Sequence, residues 1–397
     1  MTTVFTTEAY GSGTSARPPL YGGRMPLSPA DDLMLHQTPH TFDQVATSDR
    51  NFYDRHYFNM HASSDELFVI TGMGQYPNLG VSDAFITVSL GDKQYTVRAS
   101  RELGTDRLDS AVGPFRIEVL EGLRKLQITC EPNEWGLTAD LTFTGTVDAL
   151  EEPRTFIRSY GRVQQDVSRY AQVGIWEGEL TVAGRTFSVT PDVWKGVRDR
   201  SWGVRPVGEP EHPGIRAKQV SDGHGFRHDW IPMQFDDHMI KVQVDEDGDG
   251  NRHVEESMLV WNSDLGKPVE HLGRPQIDTT YLSGTREIDR STVTVPRSGA
   301  DPIIVNTTPL RTLYLAAGSG YVPDAEWGHG FYQGPLKVQG LEHDLSDPEV
   351  RRQYVRLNET LSRFETSTGE IGYGLHENML MGCYRPTGFL TPDATAP

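Results

Sequence analysis

Cysteine is nearly absent from this chain of 397 residues: Cys130 and Cys383 are the only two, far apart in sequence. So sparse a pair is no disulfide framework, and cytoplasmic residence is the expectation. No stretch reaches the roughly 18 consecutive apolar residues of an integral membrane segment, and residues 1–32 lack the basic start and apolar run of a signal peptide. Positive charge is short as well. Against 55 Asp+Glu stand 37 Lys+Arg, a formal charge of −18. Binding to phosphate backbones needs a cationic face, so nucleic acid is excluded as a partner, while a small-molecule substrate and a homodimer stay open.

Several chemical signatures are missing too. No Gly-x-Gly-x-x-Gly follows a strand and opens a helix, and there is no P-loop, no Gly-x-Ser-x-Gly elbow, no His-Glu-x-x-His and no Cys-x-x-Cys. Dinucleotide, ATP, α/β-hydrolase and zinc readings therefore drop out. Asp245 to Glu256 fits the calcium-loop template in its acidic positions and its glycine, but Met239–Val244 and Val254–Trp261 on either side alternate like strands. An acidic hairpin turn is the expectation there.

What the chain does have is turn-rich alternation. Hydrophobic residues make up 36%, with 40 Gly and 25 Pro, a composition that favours short elements between many turns. Segments 66–73, 84–90, 93–99, 115–120, 125–131 and 137–147 carry Val, Ile, Phe, Tyr or Thr between Gly, Asp, Asn and Pro punctuation. Gly91-Asp92 and Ala183-Gly184 read as hairpin turns. This spacing predicts a mostly β chain of antiparallel sandwiches or barrels. One helix is expected over 346–361, capped by Ser346 with Glu349 completing the box. The expected division is a flexible arm over 1–30, a first β-domain over 31–205 and a second over 206–390.

Chemistry is densest at Trp194-Lys195-Gly196-Val197-Arg198-Asp199-Arg200-Ser201-Trp202-Gly203. In an extended strand, Val197, Asp199, Ser201 and Gly203 share one face, while Arg198, Arg200 and Trp202 share the other. Asp199 then sits among small and apolar side chains, where burial raises a carboxyl pKa and readies it to exchange a proton near neutrality. A structural Arg/Asp pair pinning the strand between two layers is the competing reading. Two glycine-flanked clusters, around His329 with Tyr332 and around Glu377, are candidates to line the same cavity. Trp230 is expected in the core or the pocket wall.

The order Arg198-Asp199-Arg200-Ser201-Trp202-Gly203, together with Asn51–Phe58, Gly74–Asn78, Arg169–Gly174 and Gly328–Gly330, resembles the carotenoid 1,2-hydratase-like superfamily, specifically its bacterial branch with an Arg-Asp-x-Ser-Trp-Gly core. The resemblance implies two tandem antiparallel lipocalin-like barrels with an apolar cavity near or between them. It also implies chemistry without redox cofactors: water addition to double bonds, isomerisation or cyclisation. The proton donor carries over to Asp199, but Arg200 stands where the hydratases have histidine, so the carotenoid reaction itself does not.

The expectation is therefore a cofactor-independent lyase, hydratase, isomerase or cyclase acting on a hydrophobic terpenoid, steroid or aromatic compound. Asp199, His329 and Glu377 are its catalytic candidates; Trp194, Arg198, Ser201, Trp202, Trp230 and Tyr332 are its substrate-binding candidates; no metal is assigned. The alternative is a noncatalytic carrier or sensor of hydrophobic ligands, told apart by whether a bound ligand is returned changed.

Overall fold

The computed structural model describes residues 27–36, 38–207, 214–215, 225–324, 326–355 and 357–397; the arm expected over 1–30 lies, up to residue 26, outside them. The protein is mostly β. Its two antiparallel sheets have 14 and 9 strands, the first curled into a nearly closed barrel and the second into a half-barrel rather than a second full barrel.

The first sheet runs through consecutive hairpins, Phe52–His61, Leu67–Tyr76, Val81–Leu90 and Lys93–Glu102, and its other flank is built on the long strand Arg162–Val182. Strand Lys195–Val204 lies between these flanks, paired with Phe52–His61 on one side and Arg162–Val182 on the other. Chain from the second half, Leu336–Asp344, adds an edge strand beside Lys93–Glu102. The second sheet is centred on Phe226–Gln234, His238–Asp247, Asn358–Thr366 and Ile371–Met381.

These sheets stack, so strands Phe52–His61 and Leu67–Tyr76 are buried along their whole length. Their side chains alternate between two apolar layers instead of between core and water. Phe58, Met60, Val69 and Met73 fill the barrel interior. Tyr57, Phe68 and Ile70 meet Trp230, Met239 and Leu375 of the second sheet. A third layer, with Ile231, Val242 and Phe364, fills the half-barrel. Each fully buried Phe, Leu or Ile contributes about 1.5–3 kcal/mol relative to exposure, and the middle layer joins the two sheets.

The helix is one turn, Pro348–Arg351, and its cap is Asp347, whose carboxylate accepts from the Glu349 backbone N–H at 2.8 Å. The expected helix over 346–361 stops early because Leu361 and Phe364 fit the two faces of strand Asn358–Thr366, which pairs along Ile371–Met381. The calcium-like segment is a hairpin whose Asp247 Oδ1 accepts from the backbone N–H groups of Asp249 and Asn251 at 2.9 and 3.0 Å. Glu256, at the twelfth position of that template, turns away to Lys241 at 2.8 Å.

One glycine positions the strand that carries Asp199. A Cβ at Gly196 would lie 2.0 Å from the Asn59 carbonyl oxygen and 2.8 Å from the Trp176 indole nitrogen. Trp176 donates to that carbonyl at 3.0 Å, and the Asn59 side chain accepts from the Val197 N–H at 2.9 Å. Gly196→Ala is therefore expected to cost at least about 3 kcal/mol, the upper end for single substitutions, measured by urea denaturation.

Candidate functional site

Along Lys195–Val204 the two faces do different jobs. Arg198 and Arg200 point into the barrel and pair with Asp32 and Asp54, all four fully buried. Trp202 stacks on His36 there, with ring centroids 4.7 Å apart. On the opposite face Val197 joins the inter-sheet layer, and Asp199 lines a cavity of about 230 Å³ between the sheets.

The second sheet supplies the facing wall through register. Glu359 is directly opposite Glu377, Trp230 is opposite Glu377 on the other side, and His228 is opposite Asp245. Directly paired residues of antiparallel strands point to the same face, so these pairings bring Glu359, Glu377, Trp230, His228 and Asp245 to one surface. Tyr57 and Arg169 complete the wall beside Asp199.

Electrostatically the site is a group of carboxyls with too few cations. Burial raises the pKa of Asp199, opposed by Arg169, whose Nε lies 3.2 Å from the carboxylate. Glu359 is pushed well above the carboxylate range by burial and then by the charges of Glu377 and Asp199; no cation offsets it. Its Oε2 has no hydrogen-bond partner. Glu377 is raised by burial, with His228 and Arg169 pulling the other way. Like charges this close do not all ionise together, and Glu359, which no cation offsets, is the one whose charged form is disfavoured most.

His228 is the counterpart. Burial disfavours its charged form, but its hydrogen bond to Asp245, 2.5 Å from Nδ1, and the field of Glu377, 3.8 Å from Nε2, raise its pKa to about 9. It is an imidazolium at neutral pH. Behind Asp199, Arg169 also reaches Glu152 at 3.5 Å, and Glu152 accepts from the Trp230 indole N–H at 2.7 Å and from Lys241 at 3.0 Å. The indole plane is thereby fixed against the cavity.

Of the residues singled out in the sequence, the structure brings Asp199, Glu377 and Trp230 together in this cavity. His329 lies in an adjoining cavity of about 520 Å³, its Nε2 3.1 Å from both the Arg55 guanidinium and the Ser319 carbonyl. Burial and the charge of Arg55 depress its pKa far below the usual histidine value. Trp194 packs in the barrel core against Phe187, and Arg198 and Trp202 face that interior. Ser201 is buried on the Asp199 side of the strand without lining the cavity. Tyr332 is on the surface, 61% exposed, donating to Glu102 at 2.7 Å. The sequence reading did not single out Glu359, His228 or Arg169, and it placed Asp245 in a turn. Their signal is register, which appears only once the strands are paired.

Fold and site together define an antiparallel two-sheet protein with an acid-lined cavity between its sheets. Residues 27–390 match the model of DUF8625, a family of unknown function, and the chain belongs to that family. No curated protein matches the sequence. Among solved structures, a candidate AttH from Nitrosomonas europaea shares the fold, with a TM-score of 0.52 at 14% identity over 93% of this chain and 100% of that one. Kievitone hydratase from Nectria haematococca aligns with a TM-score of 0.44 at 13% identity, covering 82% of this chain and 88% of its own. CghA with Sch210972 aligns with a TM-score of 0.45 at 8% identity, covering 84% and 89%.

Proposed function

We propose that the protein is an acid–base enzyme of the hydratase, lyase or cyclase type that works on a mostly apolar small molecule without a redox cofactor. The observation that carries this reading is the convergence of Asp199, Glu359 and Glu377, all with raised pKa, on one cavity opposite the His228–Asp245 pair. A carboxyl with a raised pKa as donor beside a carboxylate as acceptor is what alkene protonation or elimination requires.

Asp199, with 16% of its side chain exposed, is the reachable donor, whereas Glu359 is almost closed off. In hydration the Asp199 proton goes to one alkene carbon. Water then bonds to the other carbon and gives its extra proton to the carboxylate of Glu377, whose ionised form His228 and Arg169 favour before the step. Elimination runs the same steps backwards. The faces of Trp230 and Tyr57 attract the cationic carbon between these steps.

Native mass spectrometry of the purified protein identifies a copurified ligand, which then serves as substrate. Asp199→Asn is expected to lower its turnover by about 10²–10⁴, the usual worth of a positioned proton donor, with circular dichroism unchanged. Full turnover in this variant, or a ligand returned chemically unaltered by the native protein, overturns the reading.

A further inference from the structure

Arg205 stands out among the arginines in and around the two cavities. Arg55 is paired with Asp83 at 3.0 Å and Arg169 with Asp199 at 3.2 Å. The barrel-facing arginines of the same strand are paired as well, Arg198 with Asp32 and Arg200 with Asp54. Arg205 forms no ion pair with any carboxylate among the described residues, and its Nε is buried without an acceptor. The guanidinium lies 4.3 Å from the centre of the Tyr53 ring, which orients the planar cation but leaves its edge donors free.

Its position is as informative as its lack of a partner. Arg205, Gln165 and Tyr321 line both the acid cavity and the adjoining one that holds His329. In a chain of net charge −18, an inward-facing cation without a counter-ion leaves hydrogen-bonding capacity unused. The surrounding groups are engaged elsewhere: burial and Arg55 keep the His329 pKa far below its usual value, Asp199 pairs with Arg169 at 3.2 Å, and Asp324 lies 3.9 Å from Arg98.

We propose that the joined cavities bind a carboxylate-bearing small molecule, its anionic end held by Arg205 and its apolar body extending toward Asp199. This rests on the acid–base reading for the use of the site and adds the substrate class. It also couples recognition to chemistry. Arg205 favours the ionised form of Asp199; a bound carboxylate offsets that field, so the donor holds its proton more firmly when substrate is present.

The test is calorimetric titration with phenylbutyrate and its neutral analogue phenylbutanamide, which share shape and differ in charge. The native protein is expected to bind the acid at least about tenfold more tightly than the amide, the least that a charge-assisted pair contributes. Arg205→Met is expected to erase that preference and Arg205→Lys to keep part of it. Asp199→Asn is expected to retain it, so failure here and failure of the acid–base reading give different results. Equal affinity for the two probes in the native protein, absence of binding by both, or an Arg205→Met variant that still prefers the acid overturns the proposal. The comparison of probes on the native protein needs no variant and stands even if one fails to fold.

Discussion

Asp32→Ala is expected to destabilise the protein by about 3–5 kcal/mol, the cost of removing one partner from a buried ion pair. Asp32 sits on the short 3₁₀ turn Pro29–Asp32 and is fully buried in the barrel, where its carboxylate pairs with Arg198 and accepts from Tyr170 and from the Leu123 backbone N–H. Without it, Arg198 keeps only Gln172, at 2.9 Å, as a strong side-chain partner, and a buried cation is left uncompensated. The same carboxylate pins the chain before the first strand to the barrel. Burial alone would raise its pKa, but Arg198, His56 and Tyr170 outweigh that and hold it below the usual value. A depressed carboxylate stabilises the fold above its unfolded pKa, and the contribution disappears as pH falls through the folded one. Urea denaturation should therefore show a large gap between native protein and variant at neutral pH that narrows on acidification. A gap that stays constant across this range rules out the ion pair as its source.

The strand pattern was legible because alternation and turn chemistry are local. Gly91-Asp92 and Ala183-Gly184 are the hairpin turns the sequence indicates, and Val197/Asp199 face away from Arg198/Arg200 as period two requires. Asp199 could be singled out for the same reason: one strand's own alternation put a carboxyl on an apolar face. Glu359 could not. It lies in a stretch whose Ser-x-x-Glu start and charged residues favour a helix locally, and pairing with Ile371–Met381 overrides that preference. Trp194, Arg198 and Trp202 belong to the chemistry-dense segment but point into the barrel, because this strand is buried on both sides and density in sequence does not say which face is which. His228 and Asp245 are 17 residues apart and meet only through the register of their hairpin.

Lys241→Met is expected to cost about 3–5 kcal/mol as well, and it carries a second effect that reaches the site. Lys241 is fully buried, with Nζ 3.0 Å from Glu152 and 2.8 Å from Glu256. Burial pushes the Glu152 pKa up, yet Lys241 and then Arg169 outweigh it and leave it lowered. Without the lysine, Glu152 relies on Arg169, the same guanidinium that restrains Asp199 from the other side. Less of that cation is then available to Asp199, whose pKa rises further. In the proposed role of Asp199 as proton donor, which acts only while protonated, the limb where the rate falls with rising pH moves to higher pH. Glu152→Gln works in the opposite sense: it removes a negative charge that raises the Asp199 pKa and gives Arg169 over to Asp199, so the limb moves to lower pH. Neither residue lines the cavity, so a purely structural disturbance lowers the rate at every pH and shifts neither limb. Opposite displacements of the kcat profile mark Asp199 as the group that titrates, and displacement of both in one direction removes it from that role.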